Sequence, residues 1–235
     1  MSESIRPSTL YVVSTPIGNL EDISLRALRV LGSVDAIAAE DTRKTKILLE
    51  HFQLHKELIS YYSYNESRRT PSFLKQLREG KSIAVVTDAG TPAISDPAYV
   101  LIKACIDEGL TVIPIPGASA LLPALVASGL PTDRFVFEGF LPAKKGRQKI
   151  FQRWKEEERT IVVYESPHRL VRTLEDILQH VGDRRMAIAR ELTKKFEEMM
   201  RGRVSGLIER VKSGKERGEY VIVLEGKSDL EDEVT

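Results

Sequence analysis

The residues best suited to chemistry in this 235-residue sequence lie in loops that directly follow short apolar runs. The loops 14–20, 87–97 and 116–120 are rich in small residues and proline, and the loop 40–43 carries two carboxylates. Small residues let a ligand lie against backbone amides, and proline restricts a loop so that less conformational entropy is lost on binding. Each loop alone is a weak signal because ordinary turns use the same residues. Four of them together indicate a small-molecule site.

Charged side chains beside these loops suggest a polar substrate. Glu40, Asp41 and Arg43 form one group, in which the arginine could hold a phosphate while a carboxylate orients a hydroxyl. Residues 65–69 are polar and are predicted to form a loop suited to a substrate lid. Residues 144–155 contain six lysines and arginines and no acid, which fits a bound anion. A solvated helix face explains that charge run equally well.

Several common site signatures are absent from the sequence. It contains no G-x-x-x-x-G-K-[ST] motif, no G-x-G-x-x-G after the first apolar run and no G-x-S-x-G. His51 and His55 have the spacing that could place them on one helix face, but no third ligand lies near them. We therefore expect no metal site, and neither a P-loop nucleotide site nor an ordinary dinucleotide fold.

Alternating strand and helix patterns in the first half must position these loops. The predicted strands are 10–13, 34–39, 58–62, 83–86 and 111–115. The predicted helices are 24–31, 43–52, 70–78 and 97–108, the third opening with Thr70 as N-cap and Pro71 at its first position. Short apolar strands separated by helices predict a mainly parallel sheet covered on both faces. Ligands bind such sheets at the carboxyl ends of the strands, where the small-residue loops lie.

The second half predicts another α/β unit. Its strands are 135–137, 160–164, 186–189, 198–201 and 220–224, and its helices are 146–158, 167–180 and 204–212. The short link 191–197 allows its flanking strands to pair antiparallel, so this sheet is predicted to be mixed. Prolines near 116 and 131 mark the change of unit, and we predict domains 1–116 and 117–235.

Composition indicates a soluble globular enzyme, with 42% hydrophobic residues, 29% charged residues and a net charge of +1. No apolar run approaches the roughly 20 residues that span a bilayer, and the first residues lack the apolar segment of a signal peptide. The single cysteine, Cys105, falls on the apolar side of a predicted helix and is expected in the core. We expect a cytoplasmic protein.

Five motifs, in order along the chain, resemble one known family. They are Tyr11-Val12-Val13-Ser14-Thr15-Pro16-Ile17-Gly18-Asn19-Leu20-Glu21-Asp22-Ile23, Ala39-Glu40-Asp41-Thr42-Arg43, the 87–97 loop, Pro116-Gly117-Ala118-Ser119-Ala120 and Glu165-Ser166-Pro167-His168-Arg169. The sequence resembles the ribosomal RNA small subunit methyltransferase I family of the tetrapyrrole methylase superfamily. The resemblance runs from about residue 9 to 226, and its second and fifth motifs set this family apart within the superfamily.

The resemblance implies a two-lobed tetrapyrrole-methylase-like fold with S-adenosylmethionine in a cleft between the lobes, and a homodimer. It also implies 2′-O-methylation of a cytidine ribose in the decoding region of small-subunit (16S) ribosomal RNA. The substrate would be either the naked RNA or the assembled small subunit, with no membrane partner. Many family members carry a further small C-terminal segment, whereas this chain ends in the acidic stretch 229–235. That departure bears on how the substrate is engaged.

The resemblance also assigns the site residues. The cofactor would contact Pro16, Asp88, Ala89, Gly90, Ile94, Ser119 and Ala120 from the first lobe, with Tyr164 closing over the adenine side. The predicted RNA-binding residues are Asn65, Glu66, Arg68, Arg69, Lys144, Lys145, Arg169 and Lys194. The predicted catalytic residues are Glu40, Asp41, Arg43, Glu165, His168, Arg190 and Glu191.

Structural roles compete with several of these assignments. Asp88 could be a turn-capping carboxylate, Ser119 a helix N-cap, and 165–169 a capped helix start. His168, Asp41 and Glu191 are rival candidates for a general base, and the sequence does not rank them. Two other functions compete with RNA methylation. One is a methylase acting on a tetrapyrrole, and the other is a non-catalytic ribosome-binding factor.

Overall fold

A computed structural model describes residues 5–214 and 217–227 of the chain. The chain divides into two compact units, residues 1–119 and residues 120–235. The acidic stretch 229–235 lies outside the described residues.

The first unit alternates five strands with four α-helices. In chain order these are β1 (Thr9–Val13), α1 (Leu25–Ser33), β2 (Ala36–Ala39), α2 (Thr42–His51), β3 (Glu57–Ser60), α3 (Glu66–Arg78), β4 (Ile83–Val86), α4 (Tyr99–Asp107) and β5 (Thr111–Ile115). A short 3-10 helix, Leu20–Asp22, follows β1. The strands form one sheet in the order β3-β2-β4-β1-β5, and every neighbouring pair is parallel. This confirms the predicted parallel sheet.

Both faces of this sheet are buried, as the apolar strand sequences require. One face packs side chains such as Val13, Ile37 and Val86 against α1 and α2. The other packs Leu10, Ala38 and Val85 against α3 and α4, in a cluster that includes Cys105. Cys105 has no exposed surface, and burial raises its thiol pKa to about 11, which confirms the predicted core position.

The second unit contains a five-stranded sheet and four helices. In chain order these are α5 (Leu121–Ala127), β6 (Phe135–Phe140), α6 (Arg147–Lys155), β7 (Thr160–Glu165), α7 (Pro167–His180), β8 (Arg185–Arg190), β9 (Glu198–Arg203), α8 (Val204–Lys212) and β10 (Tyr220–Leu224). The strand order is β6-β7-β10-β8-β9. Only β6 and β7 pair parallel, and β8 and β9 pair antiparallel across their short link. The predicted mixed sheet is confirmed.

Helices cover both faces of the second sheet as well. A large cluster joins one face to α6, α7 and α8 and includes the buried rings of Phe151 and Trp154. A smaller cluster joins the other face to α5 through Ala124 and Leu125. Each unit therefore has a core of its own.

The predicted start of α3 was wrong. The helix begins at Glu66 rather than at Thr70, so Pro71 lies inside it. The Asn65 side chain accepts a bond from the Tyr62 amide and donates to the Ser60 carbonyl, which turns the chain directly from β3 into the helix. The Thr70 hydroxyl donates to the Glu66 carbonyl within the helix and caps nothing. Residues 66–69 are thus helical and do not form the predicted lid loop.

Two smaller expectations also differ from the structure. The helix α2 ends at His51, so His51 and His55 do not share a helix face. The N-cap of α5 is Ala120, which has no side-chain capping bond, so Ser119 is not the N-cap.

Candidate functional site

Loops from four strands of the first unit meet at the carboxyl edge of its sheet. The loop after β1 pairs with the loop after β4 through two backbone hydrogen bonds, Thr15 N to Gly90 O (2.9 Å) and Gly90 N to Thr15 O (3.0 Å). The Ser14 amide donates to Ile115 at the end of β5 (3.3 Å). The Thr15 hydroxyl donates to the Thr87 carbonyl (3.1 Å). These bonds fix the relative positions of three of the four predicted ligand loops.

Two glycines permit this close approach. Gly90 has φ +87°, which a side chain disfavours. A Cβ at Gly117 would lie 2.9 Å from the Ser14 Cβ and 3.3 Å from the Ser14 carbonyl oxygen. Beside them, Ser14 Oγ and Thr91 Oγ1 are hydrogen-bonded at 2.9 Å. The loops after β1, β4 and β5 therefore contact one another at backbone distance.

The loop after β2 is joined to the same edge by carboxylates. Glu40 Oε2 accepts from the Thr87 hydroxyl (2.5 Å) and from the Asp88 amide (3.1 Å). Asp88 in turn accepts from the Asp41 amide at 3.1 Å and from Lys44 Nζ at 2.7 Å. Asp88 thus has the turn-stabilising role weighed above, and one of its two oxygens bonds a lysine that could yield to a ligand.

Asp41 and Arg43 form an ion pair with two hydrogen bonds between their side chains. The Asp41 side chain caps α2 by accepting from the Arg43 amide, and both its oxygens also bond the Arg43 guanidinium at 3.0 and 2.7 Å. These hydrogen bonds hold the pKa of Asp41 well below its usual range. A carboxylate of such low basicity is a poor proton acceptor, so Asp41 is not suited to general-base chemistry. The Arg43 side chain is 88% exposed.

Asp96, which sequence reasoning missed, is an acid of the first unit whose pKa is raised, whereas the pKa values of Asp35 and Asp41 are lowered. Burial, together with the charges of Glu40 and Asp88, raises its pKa to about 6, against a hydrogen bond from Thr87 that lowers it. Asp96 lies in a strained segment, because Ala93 (φ +69°), Ser95 (+68°) and Ala98 (+124°) are all in the region that favours glycine. Strain of about 1–3 kcal/mol at each such residue is characteristic of functional loops.

The remaining predicted cofactor residues are distributed over both units. Pro16, Ala89, Gly90 and Ser119 lie in the interlocked loops of the first unit, and Ile94 lies in the strained segment with 41% of its surface exposed. The other two belong to the second unit, where they pack against its smaller core cluster: Ala120 and Tyr164. The assignment of Ala120 to the first lobe was therefore wrong. The Tyr164 ring makes edge-on contacts with Phe137 (4.9 Å) and Phe140 (5.5 Å).

The predicted RNA-binding residues after β3 divide into structural and exposed ones. Asn65 is 6% exposed and is used in the chain reversal described above. Glu66 and Arg69 are partly buried, and Arg69 Nε is a buried atom with no partner among the described residues. Arg68 is exposed. Close by in sequence, Tyr64 is 97% exposed, a residue that the sequence analysis did not select.

One edge of the second sheet gathers the other predicted residues. Glu165 and Arg190 both lie opposite Tyr220, the first residue of β10, so the ends of β7 and β8 flank one strand. His168, exposed, and Arg169 lie in the first turn of α7, which follows Glu165. The structure thus places Glu165 and Arg190, which are 25 positions apart in sequence, at the ends of the two strands that flank β10.

Glu165 is fully engaged in internal contacts. Its side chain has no exposed surface, and it accepts from the Ser166 amide (2.8 Å) and the Thr173 hydroxyl (2.6 Å). Its other contact is an ion pair with Arg169 (3.1 Å), whose guanidinium also donates to the Leu141 carbonyl. Through these contacts, the Glu165 carboxylate holds β7, α7 and the segment after β6 together.

The turn after β8 is strained and charged. Glu191 (φ +49°) and Thr193 (φ +68°) have left-handed backbones. Glu191 Oε1 accepts from Lys194 Nζ and the Glu219 amide, both at 3.0 Å. Burial raises the pKa of Glu191, but these hydrogen bonds outweigh it and the net pKa is lowered. Arg190 donates to the Arg217 carbonyl (2.9 Å) and lies 3.7 Å from Glu198.

Three further residues at the carboxyl edge of the first sheet emerge only from the structure: Lys44, Thr87 and Asp96. Thr87 and Asp96 belong to the 87–97 loop, and Lys44 directly follows the group at 40–43. What identifies them is a contact over more than 40 residues, since Lys44 reaches Asp88 and Thr87 reaches Glu40. Only Asp96-Pro97, an acid held before a proline at the end of a long loop, offers a sequence signal.

Comparison with known proteins identifies the fold and the family. A family model described as Tetrapyrrole (Corrin/Porphyrin) Methylases matches residues 9–208. A cobalt precorrin-4 methyltransferase structure aligns over 93% of this chain and 95% of its own, with TM-score 0.68 and 17% identity. A Thermus thermophilus uroporphyrin-III C-methyl transferase complexed with S-adenosylhomocysteine aligns over 92% and 97%, with TM-score 0.63 and 19% identity. The fold is that of the tetrapyrrole methylases.

Curated relatives narrow the assignment. The Ribosomal RNA small subunit methyltransferase I of Thermotoga maritima is 49% identical over 218 residues, which cover 93% of this chain and 98% of that protein. The proteins of the same name from Halalkalibacterium halodurans and Escherichia coli O157:H7 are 49% and 48% identical, covering 94% and 96% of this chain and 77% and 80% of their own lengths. The chain belongs to the ribosomal RNA small subunit methyltransferase I family.

Two negative findings apply to the described parts of the chain. Within 5–214 and 217–227, no group of three or more histidine, cysteine, aspartate or glutamate side chains is arranged to hold a metal ion. Over the same residues, no helix has both the length and the apolarity needed to cross a bilayer.

Proposed function

We propose that this protein transfers a methyl group from S-adenosylmethionine to the 2′-hydroxyl of a cytidine ribose in the decoding region of 16S ribosomal RNA. The coarser part, methylation of small-subunit ribosomal RNA, is supported by relatives that carry this name over more than nine-tenths of the chain. The finer part, the ribose hydroxyl of a cytidine, rests on the motifs that set the family apart.

The cluster of Glu40, Asp88 and Asp96 is the observation that favours a cationic cofactor. Only one lysine, Lys44, pairs with these acids among the described residues, and Asp96 has a pKa near 6 because it is buried and its neighbours Glu40 and Asp88 are negative. A ligand with a positive charge would relieve that repulsion. S-adenosylmethionine carries a sulfonium and an ammonium group, so the acids present fit it.

The interlocked loops would hold this cofactor mainly through backbone groups. Ala89 and Ser119 offer backbone amides and carbonyls at the sheet edge, Pro16 offers a carbonyl, and Asp88 offers a carboxylate oxygen. Gly90, whose own backbone groups bond Thr15, keeps these loops together. When bound, the cofactor supplies an electrophilic methyl group on a sulfonium. The protein's part is to orient that group, exclude water and place the ribose hydroxyl in line with it.

Exposed cationic and aromatic groups support an RNA substrate. Arg43 is 88% exposed and lies beside the acidic cluster, where it could hold a phosphate. Tyr64 is 97% exposed, and exposed aromatic rings stack on unpaired bases in RNA recognition. Arg68, in the first turn of α3 and four residues after Tyr64, is exposed and adds a cation. This grouping suits a single-stranded RNA segment better than a tetrapyrrole.

The contacts and pKa values of the candidate residues reduce the number that could accept the proton of the ribose hydroxyl. Asp41 has a depressed pKa, Glu165 is buried within its own network, and Glu191 has a lowered pKa. His168 remains as an exposed group at the start of α7. We propose that His168 accepts this proton and that Arg190, at the end of β8, stabilises the developing alkoxide.

A labelled-methyl assay tests the proposal. The protein and labelled S-adenosylmethionine are incubated with small ribosomal subunits from a strain that lacks the enzyme, with deproteinised 16S RNA, and with uroporphyrinogen. We expect label in RNA at a cytidine whose 3′ linkage resists alkali, because a 2′-O-methyl group blocks that cleavage. Label on a base, or none in either RNA sample, would refute the proposal. Label in uroporphyrinogen would establish the tetrapyrrole alternative.

Replacing Gly117 by alanine is expected to weaken cofactor binding by about tenfold or more, because the new Cβ must push the loop after β5 away from Ser14. Calorimetric titration with S-adenosylhomocysteine measures the affinity. Gly206→Ala is the matched control, since a Cβ there meets no atom within 4 Å and its backbone is helical. Equal affinities for the two variants and the wild type would place the cofactor elsewhere.

The proposed assembly is a homodimer in the cytoplasm, as the family resemblance implies. Light scattering of the purified chain measures the assembly directly. A mass near 53 kDa, twice the 26.4 kDa of one chain, is the expected result, and a mass of one chain would contradict it.

A further inference from the structure

A concave, positively charged pocket lies between α6 and α7 of the second unit. Its volume is about 430 Å³, within the usual range for ligand sites. It is lined by Lys144, Gly146, Arg147, Gln148, Lys149, Phe151, Arg172, Asp176 and His180. Four cationic side chains therefore face one carboxylate, and the pocket has a net positive charge.

The floor of this pocket is rigid. Arg147 is 6% exposed, and its guanidinium bonds Asp176 (2.8 Å), the Thr173 hydroxyl (2.7 Å) and the Pro142 carbonyl (3.4 Å). It also lies over the Phe151 ring, 5.1 Å from the ring centroid, and the His180 ring stacks on the Phe151 ring with a centroid distance of 5.9 Å. Because Arg147 uses its donors internally, it shapes the pocket and contributes charge more than hydrogen bonds.

The rim consists of cations that have donors to spare. Arg172 is 66% exposed and reaches Asp176 only at 4.0 Å. Lys144 and Lys149 are exposed, and no ion pair joins either of them to another described residue. Asp176 is already shared between Arg147 and Arg172, so it does not neutralise the lysines. Three long cationic side chains around a concave floor are suited to a tetrahedral oxyanion.

We propose that this pocket binds a phosphodiester group of the substrate RNA backbone. That the bound polyanion is RNA rests on the proposed function. Where its phosphate binds is inferred from the pocket. It also distinguishes between neighbouring lysines of the basic segment, because Lys144 lines the pocket whereas Lys145 does not. The basic segment 144–155 thus has a localised binding role and is not merely a solvated face.

The experiment compares two double variants with the same change in charge. K144Q/K149Q removes two rim cations, and R153Q/K155Q removes two exposed cations of the same segment that do not line the pocket. We expect the first to weaken binding of fluorescently labelled 16S RNA by about tenfold and to reduce the slope of log affinity against log salt by about 1 to 2. The second is expected to change the affinity less than about threefold.

A second readout locates the contact. His180 is one of four histidines in the chain, and its ring resonances are expected to shift on adding RNA to the wild type and not to K144Q/K149Q. Inorganic phosphate, added at constant ionic strength, is the other arm. If phosphate shifts His180 while RNA does not, the pocket serves a free anion and the proposal is overturned.

The outcomes separate this inference from the proposed function. Equal losses of RNA affinity in both double variants, or none in either, would overturn the pocket and leave methyl transfer untouched. A wild-type protein that binds S-adenosylhomocysteine but neither binds nor methylates RNA would overturn the proposed function itself. Unchanged cofactor affinity in both variants is the expected control result, and its loss in K144Q/K149Q would refute a role confined to the pocket.

Discussion

Replacing Glu165 by alanine is expected to lower the free energy of unfolding by about 2–4 kcal/mol. The side chain has no exposed surface and satisfies the Ser166 amide, the Thr173 hydroxyl and Arg169. Its loss leaves these donors short of partners, and Arg169 is only 32% exposed and cannot fully rehydrate in place. Urea unfolding, followed by circular dichroism, measures the change.

Glu175→Ala is the matched control for this prediction. Glu175 lies on the same helix, α7, but it is 50% exposed and pairs with Lys212, which is 46% exposed, at 2.9 Å. Surface pairs of this kind contribute about 0–1 kcal/mol. A Glu165→Ala protein that is as stable as the wild type yet transfers no methyl group would restore the catalytic role predicted for Glu165 from sequence.

Replacing Asp96 by asparagine is expected to stabilise the protein above pH 6 and to weaken cofactor binding there by about tenfold. The pKa of Asp96 is about 6 in the folded protein, against an ordinary value of 3.8 for an aspartate, so the folded state holds this proton more tightly than the unfolded state does. Stability from this proton is complete below pH 4 and is lost as the pH rises to 6. The loss is at most about 3 kcal/mol, since one pKa unit corresponds to about 1.4 kcal/mol.

The measurement compares both proteins at pH 5 and pH 8. The free energy of unfolding should rise in Asp96→Asn relative to the wild type at pH 8 and much less at pH 5. Calorimetry in two buffers of different ionisation enthalpy should show that wild-type Asp96 releases a proton when S-adenosylhomocysteine or a cationic analogue binds near pH 6, most strongly for the cation. Identical pH profiles for the two proteins would show that Asp96 neither titrates in this range nor senses the ligand.

Sequence patterns were sufficient for most of the fold because its strands are short, apolar and bounded by clear turn residues. They failed at the start of α3, where Thr70-Pro71 carries a good helix-start signal. The local preference was overridden by the Asn65 side chain, which bonds Tyr62 and Ser60 and starts the helix one turn earlier. Such a bond depends on the path of the chain after β3, and spacing alone does not reveal it.

The candidate site, like the fold, was predictable from the sequence only in part. The loops were predictable because parallel strands present their carboxyl ends at one edge. The contacts and the pKa of each carboxylate were not predictable, because they depend on partners that are distant in sequence. Asp41 is held by Arg43, Glu165 is buried with Thr173, and Asp96 is perturbed by burial and by Glu40. Three acids of similar appearance in the sequence thus have three different surroundings.

The strand order of the first unit has a consequence for its synthesis. Strand β1 is made first but lies between β4 and β5, whose residues begin at Ile83 and Thr111. At about 5–20 residues per second, the ribosome needs roughly 4–15 seconds after β1 before β4 is made. During that interval the apolar residues Leu10–Val13 have neither of their final neighbours. The nascent chain therefore exposes an aggregation-prone apolar segment for seconds. Binding of a chaperone to that segment would govern the yield of active protein.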